Sequence, residues 1–141
     1  MPGLSLGTAQ AMIAGALAHA GAAGAKPLAV VVLDAGGHLV AMARQDGASF
    51  FRADIARAKA YGALGMGADT AQIAERAAGN PTFFAGVVTT LGGNLVYSPG
   101  GVLIHAGGAV VGALGVSGDT GALDEAAARA GIAAAFGGEA A

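Results

Sequence analysis

The stretch LAVVVLDAGGHLVAMAR, residues 28–44, constrains the fold more than any other part of the chain. Leu28 to Leu33 is an unbroken apolar run ending at Asp34; Gly36-Gly37 follow, and a second run from Leu39 to Ala43 ends at Arg44. Gly-Gly between two such runs supplies the positive φ angles of a tight turn, so the stretch predicts a β-hairpin. The first arm lacks polar alternation, which predicts a central strand covered on both faces by helices. In the second arm a period of two puts His38, Val40, Met42 and Arg44 on one face and Leu39, Ala41 and Ala43 on the other.

The glycine-pair signal recurs in LGGNLV at 91–96 and AGGAVV at 106–111, and Ser98-Pro99-Gly100-Gly101 adds another turn. The region from Thr82 to Gly118 therefore reads as short strands, with Phe84 to Leu91 open between strand and irregular structure. Ala109 to Val116 is again apolar on both faces and is expected beside the first strand in mid-sheet. Helices are expected elsewhere. Ser5 or Thr8 is placed to cap one carrying Met12, Ile13, Ala16, Leu17 and Ala20 on a single stripe, ended by Gly21 and Gly24. Ser49 precedes a second, FFRADIARAKAYGALGM, whose sheet side is expected to be Ile55, Ala58, Gly62 and Leu64 to Gly65. Asp69 or Thr70 opens a third, and Asp119 or Thr120 a last one over ALDEAAARAGIAAAFG. This order predicts an α+β sandwich: an antiparallel sheet with helices on both faces.

A length of 141 residues predicts one domain with a real core. Only 11% of residues are charged, yet no apolar run reaches the ~18 residues that a membrane helix needs. Seven basic and nine acidic residues without a run leave no footprint for nucleic acid or an anionic membrane, so neither is expected as a partner. The absence of cysteine rules out disulfide and thiolate chemistry. The N-terminal stretch lacks the basic region of a secretory signal, making cytoplasmic location the expectation. With 38 alanines, 26 glycines and few charges, a homo-oligomer that buries apolar surface is expected.

No nucleophile elbow, phosphate loop or zinc spacing is present, and the three histidines fall in different elements, so no metal site is expected. Phe50-Phe51 and Phe83-Phe84, with Tyr61 and Tyr97, are candidates to line a pocket for a planar ligand, or to pack a core or an oligomer contact. Lys59 is expected to run along the core edge to a carboxylate. Arg44, Asp46 and Lys59 gather at one strand–helix corner. That corner carries a second possibility, with Arg44 clamping a carboxylate and Lys59 or Asp46 as acid or base.

VVLDAGGHLVAMARQDGA at 31–48, IARAKAYGA at 55–63 and SPGGVLIHAGGAVVGALGVSG at 98–118, followed by Asp124-Glu125 and Ala130-Gly131, together carry a family likeness. They resemble the GlcG/HbpS family of haem-degrading and haem-binding proteins, related to the C-terminal domain of PduO-type corrinoid adenosyltransferases. The resemblance covers nearly the whole chain. It implies a single domain over residues 1–141, a profilin-like three-layer α/β/α sandwich with a central five-stranded antiparallel sheet, and homo-oligomers from dimer to octamer. It also implies a small-molecule or cofactor-binding protein, with haem or a related tetrapyrrole as the cofactor. Some members ligate haem through a histidine of the first helix, where this chain has His19; His105, on a short strand among apolar neighbours, is the other candidate, with Phe83 and Tyr97 beside the ligand. The alternative is a small catabolic enzyme acting on an organic acid or aromatic intermediate, with Arg44, Asp46 and Lys59 at its site. A ligand-free scaffold comes third.

Overall fold

Helix α1, Leu6–Ala22, begins where the Ser5 hydroxyl accepts the Thr8 N–H at 3.0 Å. The computed structural model describes residues 4–136. Strands β1, Ala29–Asp34, and β2, Leu39–Arg44, follow as the expected hairpin, with Gly37 at φ 83° in its turn. Next come α2, Phe51–Met66, α3, Thr70–Gly79, and α4, Pro81–Thr90. A second hairpin, β3 at Gly101–Ala106 and β4 at Ala109–Ser117, leads to α5, Gly121–Ala135, capped by the Thr120 hydroxyl.

The strands form one antiparallel sheet in the order β2-β1-β4-β3, so β1 and β4 lie side by side in its middle as expected. On one face α1 and α5 pack over Val30, Val32, Val102, Ile104, Leu114 and Val116. On the other, α2 covers Ala29, Val31, Leu33, Leu103 and Ala113. The α+β class and the two helical layers agree with the sequence reading. The five-stranded sheet does not: the described residues hold four strands. The β3 edge is closed to a fifth, because its outward N–H groups at Gly101 and Leu103 are taken by Thr70 Oγ1 and Asp69 Oδ1, at 2.8 and 2.9 Å.

Four local expectations also change. Residues 81–90 are helical rather than strand-like, since Pro81 starts a helix without losing a needed N–H and Phe84 turns inward against Ile73, Ala77 and Leu95. The LGGNLV pair consequently ends a helix, with Gly92 and Gly93 at φ 64° and 82°, and makes no hairpin. The strict alternation of β2 is broken by a bulge. Val32 pairs with Ala41 but Leu33 pairs with Leu39, so Val40 is the extra residue and turns to the α1 side. Leu39 thereby joins Met42 and Arg44 on the α2 side. Finally, α2 meets the sheet through Ala56, Ala60 and Ala63 instead of the stripe through Ile55 and Ala58. In so alanine-rich a helix, contact follows where backbone approaches closest, here at Gly115.

At the start of α5, the Asp119 carboxylate accepts the N–H groups of Lys26 and Thr120, both at 2.7 Å. The Lys26 N–H is the main reason its carboxyl lies below the ordinary value of 3.8. The unfolded chain therefore takes up this proton first as pH falls, and the stability contributed above the unfolded value is lost as pH drops through the folded one. Denaturant midpoints measured from neutral pH into the acid range are expected to fall less steeply for Asp119→Asn than for the parent. Parallel acid limbs would remove the carboxylate from this role.

Candidate functional site

The sequence-selected residues fall in five separate places. Lys59, on the inner side of α2, is 2% exposed and reaches past the end of β4 to α5. Its ammonium donates to Asp124 Oδ2 at 3.0 Å and to the Val116 carbonyl at 2.9 Å. Asp124 also accepts the Asp119 N–H at 3.0 Å and the Gly118 N–H at 3.4 Å. Burial pulls the Lys59 pKa below 10.5, partly offset by the Asp124 charge. The expected carboxylate partner is thus present, but deep in the protein. Gly100, at φ 131°, closes over the pair, since a Cβ there would sit 2.9 Å from Lys59 Nζ.

Arg44 and Asp46 lie elsewhere, along a shallow depression of about 490 Å³ with Ala25, Pro27 and Gln45. Arg44 donates to the Ala48 carbonyl at 2.6 Å. Lys59 does not line this depression, so the structure splits the three residues between an open corner and a sealed ion pair.

The aromatic residues converge better. Phe84 is buried, with Phe83 5.4 Å and Tyr97 6.1 Å away between ring centroids. Tyr97, Ser98, Ala85, Val88, Leu95 and Val96 line a cleft of about 520 Å³ along α4. Phe83 lines a smaller one of about 260 Å³ with Gly86, Val87, Thr90 and Leu91. No charged side chain lines either. The cleft exists because α4, whose sequence PTFFAGVVTT carries no charge, packs chiefly against α3 and leaves its outer side bare. Sequence reasoning picked Phe83 and Tyr97 but missed Val88, Leu95 and Val96, because it did not foresee the helix that brings them together.

The two candidate histidines lie far apart. His19 is exposed on the α1 layer, within a turn of the helix end that leads into the start of β1. His105 is half-buried on β3 opposite Val110, beyond the far end of β1, and lines a depression of about 370 Å³ with Ala106, Gly107 and Gly108. The six residues of β1 span roughly 20 Å, so the two imidazoles cannot meet at one iron within a chain. Among the described residues neither ring has a hydrogen-bond partner. The third, His38, is exposed at the hairpin turn, 3.3 Å from Asp34. No helix among the described residues is long and apolar enough to cross a membrane.

The model of the HbpS-like haem-degrading protein family matches residues 4–133. Among curated proteins no match was found. A crystal structure of a double mutant of Streptomyces reticuli HbpS is 32% identical, with a TM-score of 0.80 over 94% of this chain and 87% of that one. A PduOC:heme complex is 26% identical with a TM-score of 0.86, covering 94% and 95% of the two chains. Klebsiella pneumoniae protein ORFY is 26% identical with a TM-score of 0.87, covering 94% and 90%. Motifs, fold and matched length agree, and the chain belongs to the HbpS-like haem-degrading protein family.

Proposed function

We propose that this protein binds haem as a homo-oligomer, with His19 as iron ligand and the α4 cleft covering the macrocycle. The observation that carries the reading is the cleft: an uncharged, apolar hollow of about 520 Å³, a size typical of ligand pockets. Haem's faces and its vinyl and methyl edges are apolar, and Val88, Leu95 and Tyr97 line an apolar wall for them, leaving the propionate edge to solvent. The cleft is lined by no imidazole, while His19, whose ring nitrogens have no hydrogen-bond partner among the described residues, lies across the sheet from α4. One copy's histidine and another copy's cleft therefore complement each other, and the family relationship and the haem complex of PduOC support the same cargo. Bound haem supplies iron-centred chemistry; the chain's own residues ligate, cover and exclude water.

Titrating hemin into the purified protein is expected to give a saturable Soret shift. His19→Ala should weaken binding at least about tenfold, since removing even an outer-shell partner of a metal ligand typically costs that much, and Tyr97→Ala should weaken it less, whereas His105→Ala should bind as the parent does. Parent-like binding by His19→Ala, or no saturable shift at all, would overturn the reading.

A further inference from the structure

We infer that Arg44 and Arg52 together hold the carboxylate of a small organic acid at the end of the sheet where α2 begins. Neither arginine lines the α4 cleft, so this inference stands apart from the haem reading.

Sheet register brings the two arginines to one place. Ala29, the first residue of β1, pairs with Arg44 of β2 on one side and with Ser117 of β4 on the other. Ala29 packs beneath α2, and cross-strand neighbours share a face, so Arg44 and Ser117 rise from the sheet on that side as well. With strands ~4.8 Å apart, about 10 Å separates their backbones, and only the Ala29 methyl group stands between them. Arg52 lies in the first turn of α2, one turn before Ala56, through which the helix meets the sheet. It reaches down to donate to Ser117 Oγ at 3.3 Å. From the other side of Ala29, Arg44 folds toward the same helix start, where the Ala48 carbonyl accepts its Nη1.

Most donors of both guanidinium groups have no acceptor in the protein. Neither arginine makes an ion pair among the described residues, and each uses one side-chain hydrogen bond there, although a guanidinium carries several N–H donors. The surrounding carboxylates are otherwise placed. Asp119 accepts the Lys26 and Thr120 N–H groups, Asp124 is held by Lys59, and Asp54 is exposed on α2. Asp46 stands beside Arg44 in the depression of about 490 Å³ without pairing to it. Lys26, Arg44 and Arg52 thus face Asp46 and Asp119 with an excess of positive charge, to which the N-terminal end of the α2 dipole adds. A monoanion balances this excess, and the two oxygens of a carboxylate match the planar fork of arginine; a phosphate dianion would overshoot. Ala25 and Pro27 in the same depression give a short carbon chain an apolar wall.

Calorimetric titration of the haem-free full chain with sodium propionate tests this. Saturable binding is expected, with neutral propionamide silent and inorganic phosphate weaker. Arg44→Gln and Arg52→Gln should each weaken propionate binding at least about tenfold, the scale of one lost hydrogen bond to a charged group. Because Arg44 is exposed, Arg44→Gln should keep the parent's circular dichroism, and it carries the test alone if Arg52→Gln does not fold. Haem also has carboxylates, so the titration is repeated with hemin bound, and propionate is expected to bind as before. Absence of saturable propionate binding, parent-like binding by either folded variant, or equal binding of propionamide would overturn the assignment. So would tighter binding of phosphate, or displacement of propionate by one equivalent of hemin, which would give the site to haem instead of a free acid.

Discussion

Lys59→Met is expected to destabilise the fold by about 3–5 kcal/mol, the cost of stranding a buried charge by removing its partner. The Asp124 carboxylate would keep the N–H groups of Gly118 and Asp119 but lose the ammonium that neutralises it, while the nearby Arg52 guanidinium stays on Ser117 Oγ at 3.3 Å. Against a total stability of ~5–15 kcal/mol for a domain, this is a large loss. The double variant Lys59→Met, Asp124→Leu is expected to recover part of it, because no buried charge then remains; denaturant unfolding of the four species gives the coupling directly. Additive single and double effects would mean that the pair is not what holds α2 to α5. The pH dependence has a definite sign. Burial lowers the Lys59 pKa, so in the alkaline window below 10.5 the unfolded chain binds more protons than the folded one, and stability rises with pH. Subtracting the Lys59→Met profile from that of the parent isolates this slope from the tyrosines.

Gly115→Ala is expected to cost about 2–3 kcal/mol, at the upper end for an overpacked core, because the obstacle is backbone. Gly115 lies in mid-sheet, paired with Val31 on one side and Gly101 on the other, and a Cβ there runs into the Ala56 carbonyl of α2. A flexible side chain would swing aside; a helical carbonyl moves only with its helix. Gly65→Ala, near the end of the same α2, provides the contrast. Nothing lies within 4 Å of where its methyl group would stand, and replacing a helical glycine should stabilise by about 0.5–1 kcal/mol. Thermal midpoints should move in opposite directions for the two variants. A neutral Gly115→Ala would mean that α2 does not rest on β4.

These two sites show how local chemistry and long-range packing divide the protein between them. The Lys59–Asp124 pair joins positions 65 residues apart, and no spacing rule connects them. That Lys59 would seek a carboxylate was legible from its place on a small-residue helix face. Which carboxylate, and that the pair would be sealed away from Arg44 and Asp46, depended on Gly100 and Gly101 letting β3 begin directly against it. The candidate cleft divides in the same way. Phe83 and Tyr97 were legible as aromatic candidates, but a cleft needs a helix at 81–90 to hold its walls, and the run FFAGVV suits strand and helix alike.

What the sequence by itself determined is the set of features written in short-range patterns. These are the hairpins at Gly36-Gly37 and Gly107-Gly108, helix starts at Ser5 or Thr8 and at Asp119 or Thr120, where the structure uses Ser5 and Thr120, and the two apolar strands that had to lie together beneath helices. Each turn, cap and strand follows from dihedral preference or burial within about ten residues; only the pairing of β1 with β4 joins distant segments, and it follows because both runs are apolar on two faces. Tertiary structure alone decided the number of strands, the bulge that puts Leu39 beside Met42, the alanines by which α2 meets the sheet, and the placement of His19 and the α4 cleft in opposite layers. Those choices are settled by competition: Thr70 and Asp69 against a further strand for the β3 edge, and glycine and alanine contacts for the closest approach of backbone. In a chain this rich in alanine and glycine, side-chain hydrophobicity scarcely separates one helix face from another, so fit between backbones makes the choice.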